Sequence, residues 1–124
     1  MMKVVSTNNA PQAIGPYSQA MISGGMVYTS GQIAIDPASG SIQATTIEEQ
    51  THQVCKNVKA VLEASGSSLD KVVKTVCFLA DMGDFATFNG IYAQYFTSKP
   101  ARSCVAVKTL PKNVLVEIDT IAEL

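Results

Sequence analysis

Residues 99–124, KPARSCVAVKTLPKNVLVEIDTIAEL, carry the pattern on which the fold turns. Two apolar runs, RSCVAVK and VLVEIDTIAEL, flank the short connection TLPKN, which predicts a hairpin. In the final strand Val114, Val116, Ile118, Thr120 and Ala122 alternate with Leu115, Glu117, Asp119 and Ile121, and the first set reads as the core face. Ser103, Val105 and Val107 then meet that face from the preceding strand, leaving Arg102, Cys104 and Ala106 beside Glu117 and Asp119. The expected register therefore puts an arginine and two carboxylates on one surface. A guanidinium keeps its charge and is costly to bury alone, so it needs a partner. Two readings stand open at this point: an ordinary ion pair with Glu117 or Asp119, or an arginine reserved for a planar anion, whose two oxygens match its fork of donors.

The rest of the chain supplies the elements around this pair. YSQAMI (17–22) and MVYTSGQI (26–33) read as strands joined across SGG, where glycine permits a tight turn, and DPASG (36–40) reads as a further turn. Thr46-x-x-Glu49 has the form of a capping box. Beyond it Ile47, Thr51, Val54, Cys55, Val58, Val61 and Leu62 recur at helical spacing as far as Gly66. LDKVVKTVCFLA (69–80) reads as a long, largely buried strand. A second helix is expected from Asp84 as N-cap, with Phe85, Phe88, Tyr92 and Tyr95 or Phe96 on one side, an aromatic stripe read as core. The expected order is ββαβαββ in a single domain over 1–124: an α+β fold with two helices on one face of a mixed sheet. The other face stays bare unless a neighbouring subunit covers it.

Composition narrows the function classes. Among 124 residues 47% are hydrophobic and only 15% charged, against about 25% charged in an average soluble domain, which predicts surface buried between copies. With a net charge of −1 and nine dispersed basic residues, there is no footprint for nucleic acid. Cys55, Cys77 and Cys104 are odd in number and contain no C-x-x-C, and the one histidine is His52. Neither a disulfide framework nor a zinc site is expected. No stretch reads as a signal peptide or membrane span, so a soluble, cytoplasmic protein is expected. No phosphate-cradling glycine motif occurs.

PARSCVAVKTLPKNVLVEI resembles the C-terminal signature of the RidA family (YjgF/UK114 proteins), in which Pro-Ala-Arg opens one strand and an apolar-Glu-Ile triplet lies in the next. AIGPYSQA, TSGQI and DFATFNGIY resemble the family's other segments in the same order, so the resemblance spans essentially the whole chain. It implies a chorismate-mutase-like α+β fold, a homotrimer and clefts between subunits. It also implies hydrolysis of reactive enamines and imines such as 2-aminoacrylate, 2-iminopropanoate and 2-iminobutanoate to 2-oxo acids and ammonia, a form of metabolite damage control. Carried over by position, Arg102 would hold the substrate carboxylate and Glu117 would orient or deprotonate water. Tyr17, Ser30, Gly31, Asn89 and Cys104 match other cleft positions. TSKPARS looks shorter than in many relatives, which bears on the cleft rim.

The chemistry so implied needs no metal and no organic cofactor, because an imine carbon is already electrophilic. Cys104 lacks an adjacent base and reads as a small lining residue, not a nucleophile. The competing reading is a non-catalytic trimer that binds small carboxylates. An RNA-directed activity, associated with relatives of the family, gains little support from the acidic balance.

Overall fold

In the computed structural model, which describes residues 1–124, β1 (Lys3–Val5) pairs antiparallel with β2 (Ala20–Ser23), and β2 with β3 (Met26–Thr29). Gly24 and Gly25 close the second hairpin at φ +58° and +78°. A two-residue turn with both φ positive matches the twist of its strands, and side chains with a Cβ adopt it only under strain. β1 was not among the expected strands. It is three residues long with only Val5 buried, too short to show an alternation.

α1 (Ile47–Ala64) starts where the capping box places it. Thr46 Oγ1 accepts from Glu49 N at 3.2 Å, and Glu49 Oε1 accepts from Thr46 N at 3.2 Å. Gly66, at φ +86°, turns the chain beyond the helix. β4 (Val72–Leu79) follows, then α2 (Phe85–Tyr95), β5 (Ala101–Ala106) and β6 (Val116–Glu123). The observed order is therefore βββαβαββ, one strand more than expected. Val54, Val58, Val61 and Leu62 of α1 pack with Phe88 and Tyr92 of α2 over Cys77, Leu79, Val116 and Ile118 of the sheet. Full burial of each such side chain contributes about 1.5–3 kcal/mol, enough in sum to hold both helices on one face.

The sheet order is β1-β2-β3-β6-β4-β5, with β5 parallel to β4 and β6 antiparallel to both β3 and β4. This corrects the predicted hairpin between the last two strands. α2 carries the chain across the sheet so that β5 adds beside β4 as an edge, while β6 returns to fill the gap between β3 and β4. The face assignment changes with it. Thr75 pairs with both Arg102 and Thr120, and Cys77 with both Cys104 and Ile118, so Arg102, Cys104 and Ala106 lie on the helix-bearing face. Phe78 pairs with Glu117 and Val76 with Asp119, which puts both acids on the opposite face. Val105, expected in the core, is 47% exposed on that opposite face. On an edge strand apolar alternation does not identify the buried side.

The face without helices carries Tyr28, Val76, Phe78, Val105, Glu117 and Ile121, none of them buried. It is the uncovered sheet face expected from the shortage of helices.

Candidate functional site

The residues singled out in the sequence fall into two groups, one on each side of the sheet. The first surrounds Glu117. Gln32 and Ile118 exchange backbone hydrogen bonds, Gln32 N donating to Ile118 O at 2.8 Å and Ile118 N to Gln32 O at 3.1 Å. This pairing lays the preceding residue, Gly31, against Glu117: a Cβ at 31 would stand 2.9 Å from Glu117 Cδ. Only glycine leaves the carboxylate in that place. Ser30 is tied to the segment before β2, its Oγ donating to Ser18 O at 2.5 Å and its N to Gln19 O at 2.9 Å.

Tyr17, Ser30, Gly31 and Glu117 line one cleft of about 440 Å³, with Ile33 and Ile35 as an apolar wall and Lys112 at the rim. Tyr17 is 52% exposed, its ring open to a ligand or a neighbour. Burial pushes the Glu117 carboxyl above its ordinary value, and the nearby Asp119 charge pushes the same way. Asp119 is raised for the same first reason, burial, with Lys74 opposing it. A carboxyl raised toward neutrality is suited to accept a proton and return it.

Arg102 centres the second group. Its Nη1 donates to Asn89 Oδ1 at 2.7 Å, and its Cζ lies 4.9 Å from the Tyr92 ring centroid and 5.4 Å from that of Phe85. Two ring faces and one amide oxygen attend the guanidinium, and no carboxylate of the chain is among these contacts. The ion pair with Glu117 or Asp119, the first of the two readings open in the sequence, is not formed. A depression of about 560 Å³ opens beside Arg102, bordered by Tyr92, Phe96, Lys99 and Pro100.

Cys104 follows two residues on along β5. Burial pushes its thiol up, partly offset by Arg102, and the one histidine is engaged elsewhere, His52 Nδ1 standing 2.7 Å from Tyr95 OH. A protonated thiol without a base is a lining group.

The structure thus brings Tyr17, Ser30, Gly31 and Glu117 together, and separately Arg102 and Asn89 with Cys104 on the same strand face. Glu117 and Arg102 border separate cavities. Sequence reasoning passed over Tyr92 and Phe85 as contacts of Arg102, because their helical spacing assigns them to the core. It also passed over Gln19, whose buried amide receives Thr7 N at 2.7 Å and donates to Pro11 O at 2.7 Å and Thr7 O at 3.0 Å. That clasp holds residues 7–11 against Gln19 beside the cleft, which Pro11 and Gln19 both line, and a lone glutamine gives no periodic signal.

A sheet of this order with two helices on one face, and an arginine and a glutamate each bordering a cleft of its own, define an α+β protein of the endoribonuclease L-PSP class. The family model of that description matches residues 7–124. The chain belongs to this family, the RidA proteins its sequence resembles.

Among curated relatives, a RutC family protein of Pyrococcus horikoshii is 53% identical over 98% of both chains. The 2-iminobutanoate/2-iminopropanoate deaminase of Salmonella typhimurium is 48% identical, again over 98% of each. Among solved structures, a protein of unknown function of the conserved Rid family from Yersinia pestis superposes with a TM-score of 0.97 at 48% identity, covering both chains fully. Escherichia coli TdcF with bound serine gives 0.94 at 43% identity over 98% of each chain.

Proposed function

We propose that this protein hydrolyses the imines of small 2-oxo acids, releasing the 2-oxo acid and ammonia, in clefts completed between copies of a homotrimer. The observation that carries the reading is the separation of Arg102 from Glu117. An arginine without a counter-carboxylate lies on one face, and a proton-accepting carboxylate lies on the other. Each is half of a site for a substrate with an anionic end and an electrophilic carbon. The edge strand β5 and the uncovered face bearing Glu117 are both exposed, so a neighbour's β5 seated against that face would bring the halves together.

In that cleft the Arg102 fork holds the substrate carboxylate and fixes the imine carbon near Glu117. Water adds its oxygen to the carbon while Glu117 takes one of its protons, and the C=N electrons move to nitrogen, which receives that proton from Glu117 to give a neutral carbinolamine. Glu117 then takes the hydroxyl proton of the carbinolamine and delivers it to the departing nitrogen. The hydroxyl oxygen forms the C=O bond as C–N breaks, and ammonia leaves with the 2-oxo acid. Gly31 leaves room for the Glu117 carboxylate, and Tyr17, Ser30, Asn89 and Cys104 complete the lining.

The relative named as an imine deaminase, at 48% identity, supports this reading. The relative holding serine supports a second one, binding of small carboxylates without turnover. RNA cleavage, which the family's description as an endoribonuclease names, gains little support from a net charge of −1. Turnover separates the first two. A serine or threonine dehydratase generates 2-aminoacrylate in situ, and the deaminase reading expects this protein to accelerate the appearance of pyruvate. A rate equal to that without the protein leaves the binding reading.

A further inference from the structure

Arg102 is seated in a way that its own sequence neighbours do not explain. Its Nη1 is committed to Asn89 Oδ1 at 2.7 Å, while Nε and Nη2 make no hydrogen bond within the chain. The guanidinium stands against two aromatic faces, Tyr92 at 4.9 Å and Phe85 at 5.4 Å. Tyr92 is itself fixed on several sides. Its hydroxyl lies 2.7 Å from Thr75 Oγ1, its ring stacks on Phe96 at 4.5 Å and 24°, and Phe88 is 5.5 Å away. Thr75 is the residue paired with Arg102 across β4 and β5, so one strand position supports both the arginine and the ring beneath it.

From this arrangement we infer that Phe85 and Tyr92 are positioning residues for carboxylate recognition, acting through Arg102. The two π-faces supply the electrostatic compensation that a half-buried guanidinium otherwise takes from an acidic side chain. Asn89 fixes rotation about the guanidinium axis. The charge therefore remains uncancelled, and the Nε/Nη2 edge is presented as the bidentate receptor for a carboxylate. A counter-carboxylate in place of the rings would hold the arginine equally still and compete with the ligand. The inference rests on the carboxylate role of Arg102 proposed above.

The test uses Phe85, which is only half-buried, so that its loss does not empty the core. Phe85→Leu, Phe85→Tyr, Arg102→Lys and the double variant Phe85→Leu/Arg102→Lys are titrated calorimetrically with 2-oxobutanoate, beside thermal unfolding and size-exclusion light scattering. Removing one π-face is expected to weaken 2-oxobutanoate binding about 3- to 10-fold, as a partly desolvated cation–π contact does. Phe85→Tyr is expected to restore most of the loss. In the Arg102→Lys background Phe85→Leu is expected to cost less than about twofold, because a residue acting through the guanidinium is silent once it is gone. An equal cost in both backgrounds, or no cost in the first, overturns the inference while leaving Arg102 as the receptor. Undiminished binding by Arg102→Lys overturns the carboxylate role of Arg102 and the inference with it.

Discussion

Glu117 lies over the Cα of Gly31, so close that a Cβ added there would stand 2.9 Å from the Glu117 carboxyl carbon and 3.1 Å from its Cγ. The contact follows from the pairing of Gln32 with Ile118, and the atoms that a Cβ at 31 would meet all belong to the Glu117 side chain. A side chain at 31 must therefore displace the carboxylate, not the backbone. Gly31→Ala is expected to leave the folded chain intact, with a melting temperature within a few degrees of the parent. It should lower imine turnover by about 10- to 100-fold, the cost of misplacing a reacting group by roughly an ångström. Coupled dehydratase kinetics with thermal unfolding decide it. Unchanged kcat would mean that the position of Glu117 is not critical.

Arg102→Lys is expected to be nearly as damaging as Arg102→Ala. A lysine ammonium is a point charge on a flexible stem and reproduces neither the planar fork nor the stacking on Tyr92 and Phe85. Steady-state kinetics on both variants, with oligomeric state checked, make the comparison. Retention of most activity by the lysine variant would reduce Arg102 to a general electrostatic attractor.

Glu117→Gln separates binding from chemistry. Glutamine keeps the size but cannot take a proton from water, so turnover should fall by about two to four orders of magnitude, less where the imine hydrolyses quickly unaided. Affinity for pyruvate or 2-oxobutanoate, measured by calorimetry, should hold within about threefold. Undiminished turnover would leave water activation to backbone or solvent.

The same variant has a stability signature. Burial and then Asp119 raise the folded-state value of Glu117, so the native chain binds a proton there more tightly than the unfolded chain. The stabilising contribution of the protonated form is fully present below the ordinary carboxylate value and is lost as pH rises through the raised one. Glu117→Gln should accordingly melt at a higher temperature than the parent at pH 7, and the gain should shrink toward zero near pH 4. A gain that grows on acidification contradicts this.

If the cleft is completed between copies, two dead variants should rescue each other. Mixed trimers of Arg102→Ala and Glu117→Gln chains, formed by unfolding and refolding together, should contain clefts in which an intact Arg102 meets an intact Glu117. Expected activity is a substantial fraction of the parent's, against almost none for either variant alone. Light scattering should show three copies at micromolar concentration. A stable monomer, or mixed trimers as inactive as their parents, would require both groups to act within one chain.

Local pattern alone determined much of this protein. The Thr46–Glu49 capping box, the apolar stripe of α1, the glycine pair that turns β2 into β3 and the aromatic side of α2 each depend on residues a few positions apart. Propensity and periodicity report such local relationships directly. Membership of the family was likewise written in contiguous segments. Tertiary structure alone decided which face Arg102 occupies. Alternation along a strand states which residues share a side, but not which strand lies next to it. β5 and β6, adjacent in the chain, are separated in the sheet by β4, because α2 carries β5 to the outer edge and β6 closes the gap beside β3. That choice depends on long-range packing. It placed Arg102 on the helix-bearing face and Glu117 on the open face, so the ion pair, one of the two readings open in the sequence, does not form within the chain.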